Sequence, residues 1–352
     1  MKTVFGLYGS GWRAEFFLRI AKALPEQFEV CGAITRSGYR AARIVWDFGV
    51  RCYKSADEML SAAKPDFIIL AVNRNAGMDI ALDLLKRGIP VLMETPPAPD
   101  MESLERFRES MPSGAMLQIA EQYPMQPMHS ARLAFLETGK IGAVQHAYIS
   151  YSQSYHAMAL MRKYLGIRFE SVEITAKSFP ISVVAGPGRE GEPKEEKIVC
   201  KTQTVALLDF GGRTGLYNFE SEQHRSWVRS SVVQIKGERG ELYNTDIKYL
   251  KDFKTPIESS FIRKNLGYDE NLEGHDLKGI IGDGSWYYRN PYQGLRFSDD
   301  EIAVAGCLES MVAYIQGGPD FYSFEEAAQD IYLALMVEKA AKSGERVTTE
   351  AR

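Results

Sequence analysis

The stretch TVFGLYGSGWRA, residues 3–14, decides the fold. Residues 3–8 form an apolar run of strand length. Residues 9–14 then open a helix whose Ala14, Phe17, Leu18, Ala21 and Leu24 share one face at helical spacing. Between them stands Gly9-Ser-Gly11-Trp-Arg-Ala14, a Gly-x-Gly-x-x-Ala pattern. Gly9 permits a tight turn, Gly11 lets the backbone approach a pyrophosphate, and the small Ala14 lets helix and strand pack closely. The N–H groups freed at the helix start can hold phosphate charge. The turn, with Trp12 and Arg13 on it, is read as a dinucleotide site.

Strand and helix signals alternate onward from this turn. FEVCGAI (28–34) is a second strand, DFIILAV (66–72) a run buried on both faces, and IPVLM (89–93) another strand after a helix over 76–87. Ser55 and Glu58 form a capping box, and Asp100 caps a helix over 101–110. This alternation predicts an α/β fold with a doubly wound parallel sheet over residues 1–120. Past residue 120 the rhythm changes. Helices over 127–138 and 156–165 flank a strand, and alternating segments at 169–179, 198–210, 214–222 and 230–236 read as antiparallel hairpins. Residues 121–352 therefore form a second α/β domain with an open, largely antiparallel sheet. Its last helix, opened by Ser323 and Glu326, could pack back on the first domain. Residues 251–298 give no clear pattern, and 186–197 reads as a solvated loop.

Composition narrows the function. The 352 residues carry 42 Lys and Arg against 46 Asp and Glu, a net charge of −4, so neither nucleic acid nor an anionic membrane is an expected partner. Four scattered cysteines form no Cys-x-x-Cys pair, which argues against a metal site or disulfides and for a cytoplasmic protein.

The ribose end departs from the usual pattern. Where an NAD-binding fold carries an acid at the end of its second strand, this chain has Thr35, Arg36 and Ser37, with Arg40 one turn on. Hydroxyls beside a guanidinium suit a 2′-phosphate, so NADP is favoured over NAD. Glu29 stands at the wrong end of that strand.

Together, VFGLYGSGWRA, GIPVLMETPPA (88–98), EQYPMQPMHSARLAFLETGKIGAV (121–144), YHAMALMRKYLG (155–166), GERGEL (237–242) and the closing SGERV resemble the glucose–fructose oxidoreductase/inositol dehydrogenase (Gfo/Idh/MocA) family. The resemblance implies a Rossmann domain joined to an α/β domain whose sheet lies beside the nicotinamide and often forms oligomer contacts. It implies hydride transfer between NAD or NADP and a hydroxyl-bearing carbon of a sugar, glycoside or polyol, in a homodimer or homotetramer. Some relatives act as glycosidases through transient sugar oxidation, and others are non-catalytic dinucleotide-binding regulators.

Three departures from the family pattern stand out. The family's Glu-Lys-Pro reads Glu94-Thr95-Pro96 here, so the lysine that positions or protonates the substrate oxygen becomes a hydroxyl. Its Asp-x-Gly-x-His reads Ser152-Gln-Ser-Tyr-His156, which leaves His156 as acid/base candidate in the first turn of a helix, where the dipole favours a neutral ring. Its Pro-x-x-x-His reads Asn73-Arg-Asn-Ala-Gly77. Catalytic candidates are thus His156, Thr95 and Tyr123, with Tyr155 in reserve. Cofactor candidates add Asn73, Glu94 and Gln122 to the glycine turn and to Thr35, Arg36 and Ser37. SWYYRNPYQ (285–293) could face a sugar ring or serve as packing.

Overall fold

The computed structural model describes residues 2–267 and 276–351. The chain begins as a run of β/α units: β1 (Thr3–Tyr8), α1 (Trp12–Ala23), β2 (Phe28–Ile34), α2 (Gly38–Phe48), β3 (Cys52–Tyr53), α3 (Ala56–Ala62), β4 (Phe67–Leu70), α4 (Arg74–Lys86), β5 (Val91–Glu94), α5 (Met101–Ser110) and β6 (Leu117–Ala120). The six strands pair in parallel in the order β3-β2-β1-β4-β5-β6, a doubly wound sheet. Their apolar runs are buried on both faces; Phe67 to Leu70 are almost wholly inaccessible. The helix starts follow the expected local chemistry. Ser55 accepts from Glu58 N at 3.2 Å, and Asp100 accepts from Ser103 N at 2.8 Å.

The next elements build a different sheet: α6 (Pro127–Glu137), β7 (Val144–Ser150), α7 (Ser154–Leu165), β8 (Glu173–Val184), β9 (Ile198–Asp209), β10 (Thr214–Phe219), β11 (Val232–Gly237), β12 (Gly240–Tyr243), β13 (Asp246–Leu250), β14 (Pro256–Ser260), β15 (Ile262–Asn265), β16 (Leu277–Gly282) and β17 (Ser285–Arg289). The chain closes with α8 (Asp299–Ile315), α9 (Phe324–Ser343) and β18 (Val347–Thr348). Nine strands form one sheet in the order β14-β13-β12-β11-β7-β10-β9-β8-β18. All its neighbours are antiparallel except β10 and β7, which run parallel.

Two compact units emerge. The first holds residues 1–126 with 294–328, the second 127–293 with 329–352. Buried Gln118 explains how the distant segment 294–328 joins the first unit. Its Nε2 donates to Asp320 at 2.6 Å, and its Oε1 accepts from the backbones of Phe321 and Tyr322. A buried amide bonded at both its nitrogen and its oxygen specifies one docking geometry. At the other end of the segment, Ser298 and Glu301 form a capping box on α8, and Glu301 also takes Arg19 of α1 at 2.8 Å. That box was not anticipated from the sequence.

In the second unit α7 covers one face of the nine-stranded sheet. A Cβ on Gly215 of β10 would stand 2.1 Å from Met161 Sδ, so glycine here leaves room for the Met161 side chain between helix and sheet. Helix α6 is covered differently from α7. It packs on the separate three-stranded sheet β15-β16-β17, with Phe135 against Phe261 and Tyr287 at 5.9 and 5.2 Å. The stretch 251–298 thus supplies the cover for α6, and Tyr287 belongs to that core, not to a sugar platform. Loop 186–197 is mostly exposed, as expected.

His129 of α6 is a buried histidine whose tautomer follows from its partners. Arg132 can only donate, and its Nη1 lies 3.2 Å from His129 Nδ1, which Tyr164 also meets. The proton therefore sits on Nε2. Burial, reinforced by Arg132, holds the ring's pKa well below 6.5. The unfolded chain takes up a proton near pH 6.5 and the folded one does not. Stability from this group is thus fully present above that pH and falls as the pH drops below it. Replacing His129 with Phe should make the loss of stability between pH 6.5 and 5 shallower in denaturant titrations; an unchanged slope would contradict this assignment.

Candidate functional site

The first unit gathers most of the expected cofactor residues at the carboxyl ends of its strands, where open α/β sheets bind ligands. Gly9 has φ +135°, and a Cβ there would lie 2.2 Å from the carbonyl oxygen of Ala71. Only glycine can make this turn. Gly11 meets nothing nearer than Arg40 Nη1, 3.9 Å from where its Cβ would be, so the backbone face at this position is open. Ala14 is fully buried where α1 crosses the sheet.

At the end of β2, Thr35 Oγ1 lies 2.7 Å from Ser10 Oγ, which ties the ribose end to the glycine turn. Ser37 caps α2 through Arg40 N at 3.4 Å. Arg36 and Arg40 are exposed. Glu29 pairs with Lys2 at 3.3 Å, opposite Val4 and away from this end, as expected. Asn73 caps α4 by accepting from Asn75 N at 3.0 Å.

Arg13 is not spread over open solvent. Its guanidinium lies 4.9 Å from the Trp12 ring and 4.8 Å from the Phe16 ring, and reaches Glu94 at 3.6 Å and Asp300 at 3.5 Å. Gln122, oriented so that both ends are satisfied, accepts from Arg13 Nη2 at 2.9 Å and donates to Ala120 O at 3.1 Å. Burial works against the cation, but Glu94 and Asp300 outweigh it and raise the Arg13 pKa above its ordinary value. Arg13, Glu94 and Gln122, three residues assigned to the cofactor from sequence, therefore form one ionic strut. Asp300, which no local pattern flagged, completes it and also accepts from Gln126 at 2.9 Å. Beyond Glu94 the Thr95–Pro96 bond is cis, and Thr95 is half-buried. Tyr123 sits on a 3-10 turn (Tyr123–Met125), with its backbone N–H donating to Glu121 at 3.1 Å.

His156 belongs to the second unit, in the first turn of α7, and is 7% exposed. The helix start is built unusually. Ser154 takes φ +45°, a left-handed conformation uncommon outside glycine. Its N–H donates to Tyr217 Oη of β10 at 3.0 Å. Burial pushes the Tyr217 phenol up to about 12, so it stays protonated and able to hold this contact. Such strained positions gather at functional sites. Tyr155 lies over His156 at 4.3 Å, and Ser152 is fully buried with no hydrogen-bond partner for its hydroxyl among the described residues. Lys163 points outward, as expected.

No helix among the described residues is long and apolar enough to cross a membrane.

Residues 4–116 match the model of the Gfo/Idh/MocA oxidoreductase family, NAD-binding Rossmann fold. The rhizopine catabolism protein MocA of Rhizobium meliloti is 30% identical over 93 residues, 26% of this chain and 28% of that protein. The match thus spans little more than a quarter of that relative's length. Among solved structures, the chain is similar to an NAD-binding oxidoreductase from Klebsiella pneumoniae (TM-score 0.72, 15% identity, 100% of both chains). It is also similar to a myo-inositol dehydrogenase from Corynebacterium glutamicum (0.67, 17%, 100% of both). A levoglucosan dehydrogenase in complex with NADH and levoglucosan matches at 0.72 and 14% identity over 99% of each chain. At these identities the likeness establishes the fold. The segment that matches the Gfo/Idh/MocA oxidoreductase model carries the glycine turn, the ribose end and the Glu94–Pro97 loop, and it is similar to an NAD-binding Rossmann fold.

Proposed function

We propose that the protein is a dehydrogenase that moves a hydride between a nicotinamide dinucleotide and a hydroxyl-bearing carbon of a sugar or polyol. The observation that carries this reading is a buried histidine on a strained helix start, in a chain whose other unit has the glycine turn of an NAD-binding fold. The dinucleotide supplies the redox chemistry, accepting or donating the hydride. The chain's part is to hold the pyrophosphate on the Gly9–Ala14 turn and to manage the proton of the substrate hydroxyl. We assign the proton to His156 and a hydrogen bond to the substrate oxygen to Thr95. Tyr123 is the next phenol available if His156 does not serve.

Two exposed guanidiniums, Arg36 and Arg40, at a ribose end without an acid favour NADP. The neighbour described with a cofactor carries NADH, so this preference is tested directly. NADP should bind more tightly than NAD, and Arg36→Ala should weaken NADP alone. Tighter NAD binding, with no effect of Arg36→Ala, would reverse the assignment.

General acid–base catalysis contributes about 10²–10⁴-fold, so His156→Ala should cut kcat by that order and leave dinucleotide affinity unchanged. Thr95→Ala should cost less, because a neutral hydrogen bond contributes about 0.5–1.5 kcal/mol. Full turnover by His156→Ala would remove the histidine from the proton step. One observation favours a second reading. The family lysine is Thr95 here, and a regulator that binds dinucleotide and sugar without chemistry would show binding with no turnover in any variant.

The face of the nine-stranded sheet opposite α7 exposes Phe179 and Leu207, at 42% and 49%, which suits cover by a second copy. We expect a homodimer or homotetramer; sedimentation of a monomer at micromolar concentration would count against it.

A further inference from the structure

Only five histidines occur in the chain, and two of them, His156 and His224, follow strands that pair side by side. Topology brings them to one edge of the sheet. β7 and β10 are parallel neighbours, with Tyr217 opposite Ile149, so both strands end on the same side. From the end of β7 the chain runs through residues 151–153 into α7 and His156. From the end of β10 it runs into the 3-10 turn Ser221–His224. Tyr217 Oη fastens the start of α7 to β10 through Ser154 N, and the ring of Phe219 holds the His224 ring edge-on at 4.9 Å. The two imidazoles differ in access. His156 is buried, whereas His224 is open to solvent.

We propose that His224 is the residue through which protons pass between His156 and bulk water. The inference rests on the dehydrogenase reading above. Oxidation of an alcohol carbon sends its hydride to the dinucleotide and leaves the hydroxyl proton behind. His156 accepts that proton and, being buried, must lose it before the next turnover. It passes to His224 and from there to water. Both imidazoles finish neutral, and the products are a carbonyl, reduced cofactor and one solvated proton. Reduction runs the same path in reverse.

The surroundings of His224 suit a carrier that does not retain the proton. Its pKa is lowered by desolvation on its inner side, then by Arg225 next in the chain and by His156 from α7. β10 presents the uncharged Phe219. Glu222, on the same turn, is taken by Lys201 at 2.8 Å and by Gly186 N at 3.0 Å.

Kinetics of the full chain with His224→Gln test the relay. In weak buffer kcat should fall at least about tenfold, with KM and dinucleotide affinity unchanged, and added imidazole should restore it in a concentration-dependent way. Full turnover in weak buffer, or a loss that imidazole does not restore, would overturn the proposal. An NMR titration keeps the two readings separate. His224 should titrate below the ordinary histidine range in the wild type and move upward in His156→Gln. A His224 midpoint indifferent to His156→Gln overturns the pairing whatever the activity. A shifted midpoint in a protein that oxidises no sugar or polyol supports the pairing and removes the dehydrogenase reading instead.

Discussion

The first unit is organised around one half-buried guanidinium. Arg13 stands on the turn that would carry a pyrophosphate, yet its charge is directed inward to Glu94 at the end of β5, to Asp300 at the start of α8 and to Gln122 after β6. An exposed pair of this kind would contribute little, but here a partly desolvated cation meets two carboxylates and an amide. The strut fixes the glycine turn relative to the Thr95–Pro96 loop. It also recruits residues 294–328, which lie far along the chain, into the same compact unit. The consequence for function is rigidity. A site on the ends of fixed strands holds a ligand more closely than one on free loops.

The second unit makes its contribution through a different constraint, the parallel pairing of β7 and β10 within an otherwise antiparallel sheet. Had these strands run antiparallel, the segments leaving them would lie at opposite edges. Parallel, they deliver the start of α7 and the turn of His224 to one place. Gly215 leaves room for the Met161 side chain between α7 and β10, and Tyr217 fixes the first turn of the helix, so His156 is held by the backbone as well as by its own packing.

Local chemistry made much of this legible from the sequence. The glycine turn, the caps at Ser55 and Asp100, and the apolar runs of β1, β2 and β4 are written within a few residues of where they act. The α/β character of both halves followed from periodicity alone. Non-local pairing was not legible. The hairpin signals at 198–222 carry no mark that β10 also pairs in parallel with β7. The three-stranded sheet in 251–298 is recognisable only once Phe135 and Tyr287 are seen to pack together. Asp300 and His224 were missed for the same reason. Each lies far in sequence from the residue it acts on, and neither sits in a motif; the scarcity of histidine, five in 352 residues, is the one signal that pointed to His224. Arg13, Glu94 and Gln122 show the converse. They were singled out for position near the strand ends, but sequence could not tell that they bind one another.

The most direct test of the dehydrogenase account follows the hydride itself. The protein is incubated with oxidised dinucleotide and sugars or polyols carrying deuterium on their hydroxyl-bearing carbons, and the nicotinamide ring is examined by NMR and mass spectrometry. The account predicts deuterium on the reduced nicotinamide and a carbonyl at the labelled carbon of the substrate. Dinucleotide and sugar that both bind, with no deuterium reaching the nicotinamide, would contradict it.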